Sequence, residues 1–415
     1  MNASEQQSTS QPTIQSVEQT TCCIVGAGPA GMILALLLAR KGIRVLLVEA
    51  HADFDREFRG DTVHPSTLSI LDEIGLTEPM LQQLHHSRAF SGSIQAGAMR
   101  FPLVDFRRLH MKYPFVALIP QKEFLGFLAQ EAQRYPTFRL IMNAQVDGLL
   151  EEQGVIRGVR YRGRDGWHEI RADLTVGADG RFSRVRRLAG FQPTKSSAPI
   201  DVLWFRLPRH PEETEQAMGR VQGRVIFVML ARHDHWQIGY VIPKGSYQHL
   251  HAQGLEHFRQ TIVKVAPELA DRVQVLQDWK QISVLSVEAN RLRRWYRPGL
   301  LMIGDAAHVM SPVGGTGINY AVQDAVVAAN VLATRLKTGR VRVEDLARVQ
   351  RKRMLPTIAV QTLQNMVQDE VLGRIVRTGK GSGSAKVLRL FTRIPVVRAL
   401  PMRILLVGLT QVHVR

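Results

Sequence analysis

The sequence predicts a mixed α/β (α+β) protein: a parallel-sheet domain, interrupted by an antiparallel β insertion and followed by a helical C-terminal region. Three observations carry this. An apolar run at 21–25 leads into Gly26-Ala27-Gly28-Pro29-Ala30-Gly31 and an apolar helical stretch. A second apolar run at 300–303 leads into Gly304-Asp305 and a glycine loop with Pro312, Gly314, Gly315 and Gly317, again before a helical stretch. Between them, 197–287 is β-rich, with alternating apolar and polar positions at 201–207.

The first 20 residues are polar, rich in Ser, Gln and Thr, and read as a disordered leader with no signal or transit pattern. The strand at 21–25, the helix at 32–41 closed by Gly42, and the strand at 44–48 ending in Glu49 form a Rossmann-like unit. Gly26 permits the tight turn, Gly28 lets a pyrophosphate approach the backbone, and Gly31 allows close helix–strand packing. Pro29 and Ala30 complete the turn. Glu49 stands where an acid accepts hydrogen bonds from an adenosine ribose. This fingerprint alone leaves NAD and FAD both open.

Residues 58–76 hold Arg59-Gly60 and then a helix begun by His64-Pro65. Arg59 by itself reads as an exposed charge. The stretch 87–118 is β-rich and irregular. Gln121 starts a helix to 134, strands follow at 138–143 and 146–151, and 155–162 with 167–170 form a hairpin. The strand at 173–176 ends in Gly177-Ala178-Asp179-Gly180, followed by Ser183, Arg184 and Arg186 on a helix. A carboxylate between glycines at a strand end repeats the logic of Gly304-Asp305, because open α/β sheets bind ligands at that edge. In the insertion, 225–231 and 236–242 read as antiparallel neighbours, with one helix at 256–265. Its aromatics, including Trp204, Trp236 and Tyr240, are either core or pocket wall. After Asn319 come helices at 320–337 and 343–371, the second broken near Pro356, then a Gly/Ser linker at 379–384.

The expected division is a leader (1–20), a dinucleotide-binding domain (21–86, 119–196 and 288–336), a β-rich substrate domain (87–118 and 197–287), C-terminal helices (337–378), and a linker with a basic amphipathic tail (379–415). The chain has 415 residues and a net charge of +18. From Arg335 onward, 17 Lys and Arg face four Asp and Glu, so the charge is concentrated at one end. That argues against a nucleic-acid-binding face and for a tail that could touch anionic lipid. The two cysteines, Cys22 and Cys23, are adjacent in a strand and read as small core residues. No CxxC and no metal-ligand spacing stands out. No apolar run approaches the roughly 20 residues that span a bilayer. A cytoplasmic location, with peripheral contact at the membrane face through the tail, is the expectation.

Taken together, the three strand-end motifs resemble the single-component FAD-dependent aromatic hydroxylases of the para-hydroxybenzoate hydroxylase fold, over about residues 21–336. The resemblance implies a Rossmann-like FAD-binding domain. Gly26, Gly28, Gly31 and Glu49 would hold the ADP half of FAD, Arg59 would contact the cofactor, and Gln121 would lie near the ribityl chain. Asp179 matches the motif linked to FAD and nicotinamide-nucleotide binding, with Arg184 and Arg186 as contributors. Asp305, after Gly304, would bond the ribityl hydroxyls. Pro312, Gly315, Gly317 and Asn319 match the loop along the pyrophosphate and isoalloxazine ring, and His308 accompanies the motif. The implied reaction uses NADPH or NADH and O2 to oxygenate an aromatic or polyketide-like small molecule through a flavin hydroperoxide. No catalytic acid–base pair is assigned. The substrate would lie near Trp204, Trp236 and Tyr240. The alternatives are a flavin-dependent reductase of the isoprenoid-reductase type, a flavin-dependent halogenase, and a flavin-carrying protein without turnover.

Overall fold

The computed structural model describes residues 13–55, 61–96, 99–213, 217–378 and 408–415. Its first sheet has eight strands. Five run parallel, side by side: Leu300–Met302, Trp167–Gly177, Ile14–Val25, Val45–Val48 and Phe138–Ile141. Helices cover this sheet, so its central strands are buried runs rather than alternating ones. Cys22 to Val25 and Val45 to Val48 are all buried. Burial pushes the Cys23 thiol up to about 12, consistent with an inert core residue.

Register does the positioning. Val25 lies opposite both Gly177 and Val48, and Gly177 lies opposite Met302. The chain therefore leaves the sheet at one level at four neighbouring places, toward Gly26, Glu49, Asp179 and Gly304. Helix Pro29–Arg40 starts from this edge with Gly28 as its N-cap and is buried from Ala30 to Ala39. Helix Gly317–Lys337 starts from the same edge and packs against it.

The second sheet also has eight strands, mostly antiparallel. It is built from Ser91–Ala96, Met99–Asp105, Pro193–Pro208, Ala217–Gln222, Val225–Ala231, His235–Pro243, Ser283–Leu292 and His308–Val309. Helix Leu255–Val265 closes one face, with Phe258 and Ile262 buried among Leu203, Phe205, Phe227, Trp236 and Tyr240. Removing a ring such as Phe258 from this cluster should cost about 3–5 kcal/mol. The last, two-residue strand pairs His308 with Arg291 and Val309 with Asn290, which ties this sheet to the loop after Gly304.

Several expectations are corrected. The leader ends sooner, because 14–20 extend the first strand and pair in parallel with 167–172. These residues are mostly polar, and backbone pairing rather than apolar burial holds them. Trp167–Gly177 is one strand, antiparallel to Val155–Arg162 along its first half and parallel to its other neighbours. The second sheet starts before 197 and runs past 287. Helix Val343–Met366 passes through Pro356 unbroken and continues as a π-helical turn, Val367–Leu372. The basic tail falls largely at 379–407, outside the described residues. Its end docks on the body: Val412 and Val414 pack against the main core, Val414 N–H donates to Glu73 at 2.7 Å, and Asn330 Nδ2 donates to the His413 carbonyl at 2.7 Å. Among the described residues no helix is long and apolar enough to cross a membrane.

Deleting 409–415 should therefore cost about 1–3 kcal/mol through the lost valine packing and hydrogen bonds. A thermal melt should show Tm lowered by several degrees; an unchanged Tm would mean the docked end contributes nothing.

Candidate cofactor and active site

The three motifs touch through atoms that only glycine leaves room for. Gly26 adopts φ +101°, and a Cβ there would lie 2.6 Å from the Ala178 carbonyl and from Asp179 Cα. A Cβ on Gly31 would lie 2.0 Å from the Gly26 carbonyl. Gly304, at φ +58°, faces Ala30 Cβ at 3.0 Å from its own Cβ position. The first motif is thus pressed against the second through Gly26 and against the third through Ala30. In contrast, a Cβ on Gly28 or Gly317 would meet nothing within 4 Å. These two glycines, at the starts of two long helices, border open space where an anion is favoured by the helix N-termini. That is the shape FAD requires, with backbone packed tightly behind and bare glycines in front.

Side chains then fix the turns. Glu49 accepts from Ala27 N–H at 2.9 Å and from His51 N–H at 3.1 Å, so it holds the glycine turn from the neighbouring strand. Asp179 accepts from Ser183 Oγ at 2.5 Å, Arg184 N–H at 2.7 Å and Val185 N–H at 3.0 Å. It caps the short helix Arg184–Leu188. Burial raises its pKa, and these hydrogen bonds oppose that shift. Arg184 turns its guanidinium to Asp147. Arg186 is buried, donating to the Ala306 carbonyl at 3.2 Å and the Arg181 carbonyl at 2.7 Å. The two arginines named as contributors to this motif thus each hold a structural partner.

The third motif rests on a carboxylate that sequence reasoning missed. Asp324, on the helix after the glycine loop, is fully buried. It accepts from Gly304 N–H at 3.0 Å, pairs with His308 Nε2 at 2.6 Å and accepts from Arg353 Nε at 2.7 Å. Burial would raise its pKa, but interaction with His308 and Arg353 outweighs this and holds it low. His308 also packs on Trp295, ring centroids 4.9 Å apart. The sequence signal was an Asp inside an otherwise apolar helix, which only a buried partner explains. Asp305 follows Gly304 on the half-exposed side of the turn.

Asn319 and Gly315 tie the loop to the segment after Arg59. Asn319 Oδ1 accepts from Ser66 Oγ at 2.5 Å and Thr67 Oγ1 at 3.1 Å. The Gly315 carbonyl accepts from Thr62 Oγ1 at 3.2 Å and contacts His64 Nε2 at 3.0 Å. Pro312 caps the 3-10 turn Val313–Gly315. Arg59 itself lies outside the described residues. Asp61 accepts from Gln121 N–H at 3.2 Å and from the buried Arg232 at 3.2 Å, and Arg232 also holds Gln237 at 3.0 Å. This chain of contacts links Arg232 and Gln237 to the third-motif loop through Asp61 and Thr62.

Two expected substrate residues are corrected by strand alternation. Trp236 and Tyr240 share the face that packs on Phe258, and Trp236 Nε1 donates to Glu213 at 2.8 Å. They are core. Gln237 and Gly239 point to the opposite face, where Trp204 lies over Gly239 at 3.1 Å from its Cβ position. Trp204 Nε1 is buried with no hydrogen-bond partner among the described residues.

Comparison with known proteins decides the assignment. Residues 19–361 match the family model described as "FAD binding domain". The chain belongs to the FAD-dependent aromatic monooxygenases. The enzyme is 36% identical to a 6-methylpretetramide 4-monooxygenase of Streptomyces rimosus, over 93% of this chain and 92% of that protein. It is 28% identical to a 12-dehydrotetracycline 5-monooxygenase/anhydrotetracycline 6-monooxygenase of the same species, over 73% of this chain and 60% of that one. Among solved structures, the fold is similar to the OxyS anhydrotetracycline hydroxylase of Streptomyces rimosus, with TM-score 0.75, 22% identity, and coverage of 93% of this chain and 75% of that one. A probable FAD-dependent monooxygenase of Pseudomonas aeruginosa gives TM-score 0.74 at 21% identity, covering 86% and 98%.

The glycines make opposite predictions. Gly28→Val and Gly317→Val should fold with Tm near that of the parent yet bind FAD at least about 100-fold more weakly, as titration of apoprotein would show. Gly31→Val should not fold. Equal FAD affinity in the first two would place the cofactor elsewhere.

His64 predicts a pH dependence. Burial pushes its pKa down to about 4, against a small opposing effect of its bond to Gly315. The unfolded chain takes up this proton first, so stability should fall as pH drops from about 6.5 to about 4, by roughly 3 kcal/mol. Urea unfolding of His64→Gln should show a shallower loss across that window; an identical slope would contradict the assignment.

Proposed function

We propose that the enzyme hydroxylates a polycyclic phenolic polyketide, using NADPH or NADH and O2, with the substrate held between the third-motif loop and the second sheet. The observation that carries this is the likeness to the 6-methylpretetramide 4-monooxygenase along nearly the whole of both chains. The contact chain from Gly315 through Thr62, Asp61 and Arg232 to Gln237 supports the placement.

FAD, when bound, supplies the redox chemistry that passes reducing equivalents from NAD(P)H to O2 and one oxygen atom to the substrate. The chain supplies position and exclusion of water. Gly28 and Gly317 admit the pyrophosphate, Glu49 and Asp305 meet the ribose and ribityl hydroxyls, and Asn319, Pro312 and Gly315 shape the loop beside the ring. Gln121, whose N–H is held by Asp61, would lie near the ribityl chain. Asp179 acts through the Arg184–Leu188 turn that it caps. The substrate wall is the Trp204, Arg206, Gln237 and Gly239 face. Trp204 Nε1, without a partner among the described residues, is the donor for a substrate carbonyl or phenol oxygen.

The test is NADPH and NADH oxidation in air against a panel of polycyclic phenols and simple phenols. A polycyclic substrate should stimulate oxidation and gain one oxygen atom by mass spectrometry. Product formation only with added halide, or without O2, would overturn the reading. Trp204→Phe should raise KM by about 5–10-fold with little change in kcat, the loss of one hydrogen bond; unchanged KM would remove Trp204 from the site.

A further inference from the structure

The helix Val343–Met366 and the turn after it carry a row of buried polar side chains, of which the contacts above account only for Arg353. Arg353, Thr357, Gln361, Gln364 and Gln368 recur every three or four residues, on one face, and all are buried. Buried amides are costly unless they are satisfied, so their partners are informative. Gln361 Nε2 donates to the Asn290 and Val309 carbonyls at 2.9 and 3.0 Å. Gln364 accepts from Ser311 N–H at 3.2 Å, and its Nε2 contacts the Ser311 carbonyl at 3.1 Å, the Val313 carbonyl at 2.8 Å and Thr316 Oγ1 at 3.0 Å. Gln368, in the π-helical turn, donates to Ser311 Oγ.

The partners of Gln364 and Gln368 converge on the loop at 311–316. That loop contains Gly314 and Gly315 in the left-handed region, at φ 80° and 62°. Such a segment has little conformational preference of its own. It is held from one side by Thr62 and His64 on the Gly315 carbonyl and from the other by Gln364. A single amide that reads three points of a short loop sets its shape.

We propose that Gln364, backed by Gln368, is a positioning residue for the flavin: it fixes the 311–316 backbone, and through it the orientation of the ring end of FAD, without touching the cofactor. This rests on the reading that the loop lies beside the flavin. The C-terminal helix is on this account part of the active-site scaffold.

The experiment uses Gln364→Met and Gln368→Met, which keep an unbranched side chain and remove the amide. FAD affinity, the visible flavin spectrum, the share of consumed NADPH recovered as hydroxylated product, and the Tm of the apoprotein are compared with the parent. Gln364→Met should bind FAD about tenfold more weakly, shift the flavin band and divert more reducing equivalents to hydrogen peroxide. Gln368→Met should do the same to a smaller degree, and it carries the test if Gln364→Met does not fold. Flavin affinity, spectrum and coupling all within twofold of the parent would overturn the proposal. A lowered Tm without any flavin change would also overturn it. Gly317→Val separates the two levels. If it loses FAD while the glutamine variants behave as the parent, the positioning role alone fails. If it keeps FAD, the loop is not at the cofactor and the proposal fails with that reading.

Discussion

The structure depends on backbone meeting backbone where a side chain would intervene. Gly31 lies against the Gly26 carbonyl, Gly26 lies against Ala178 and Asp179, and Gly304 lies against Ala30. Each contact joins motifs more than 100 residues apart, except the first, which closes the turn itself. The parallel register brings the strand ends level, and the missing Cβ atoms let them close. A cofactor that spans several strand ends needs such a surface, flat at the back and bare in front. Replacing any packed glycine would separate the motifs, whereas replacing an open one would only obstruct the ligand.

Buried polar groups then lock this arrangement. Asp324 joins Gly304, His308 and Arg353 in the core, and Arg186 joins the second motif to the carbonyls after Asp305. An unpaired Arg353 would cost about 3–5 kcal/mol, so the network holds only when complete. These contacts link the Rossmann-like sheet to the C-terminal helix, which lies beyond the conventional fingerprint. Asp61 and Arg232 make the corresponding link to the β insertion. The candidate site is consequently a junction of three parts of the chain.

Much of this was legible in the sequence because glycine and strand-end carboxylates have narrow physical meanings. Gly26, Gly28 and Gly31 fall where the fold needs a turn, an opening and a close contact. The parallel sheet and the antiparallel insertion were also legible, since apolar runs and alternation differ in period. What was not legible depended on partners distant in sequence. Ser16 and Glu18 look like leader residues until 167–172 supplies a strand to pair with. Trp236 and Tyr240 read as either core or pocket wall because an aromatic in a strand reads the same on either face; Phe258 and Glu213 show which face is core. Arg186 read as a contributor at the nucleotide, but it also reaches the Ala306 carbonyl, 120 residues away. Asp324 and Gln364 had no motif, only the anomaly of polar groups on apolar helix faces.

The central claim is that Gly28, Asp305 and Gly317 border a single FAD site assembled by the three strand ends. A crystal structure of the FAD complex tests it most directly. The pyrophosphate should lie against Gly28 and the Gly317 helix start, the ribityl hydroxyls at Asp305, and the ring beside 311–316. FAD bound away from these strand ends, or a pyrophosphate that contacts neither glycine, would contradict it.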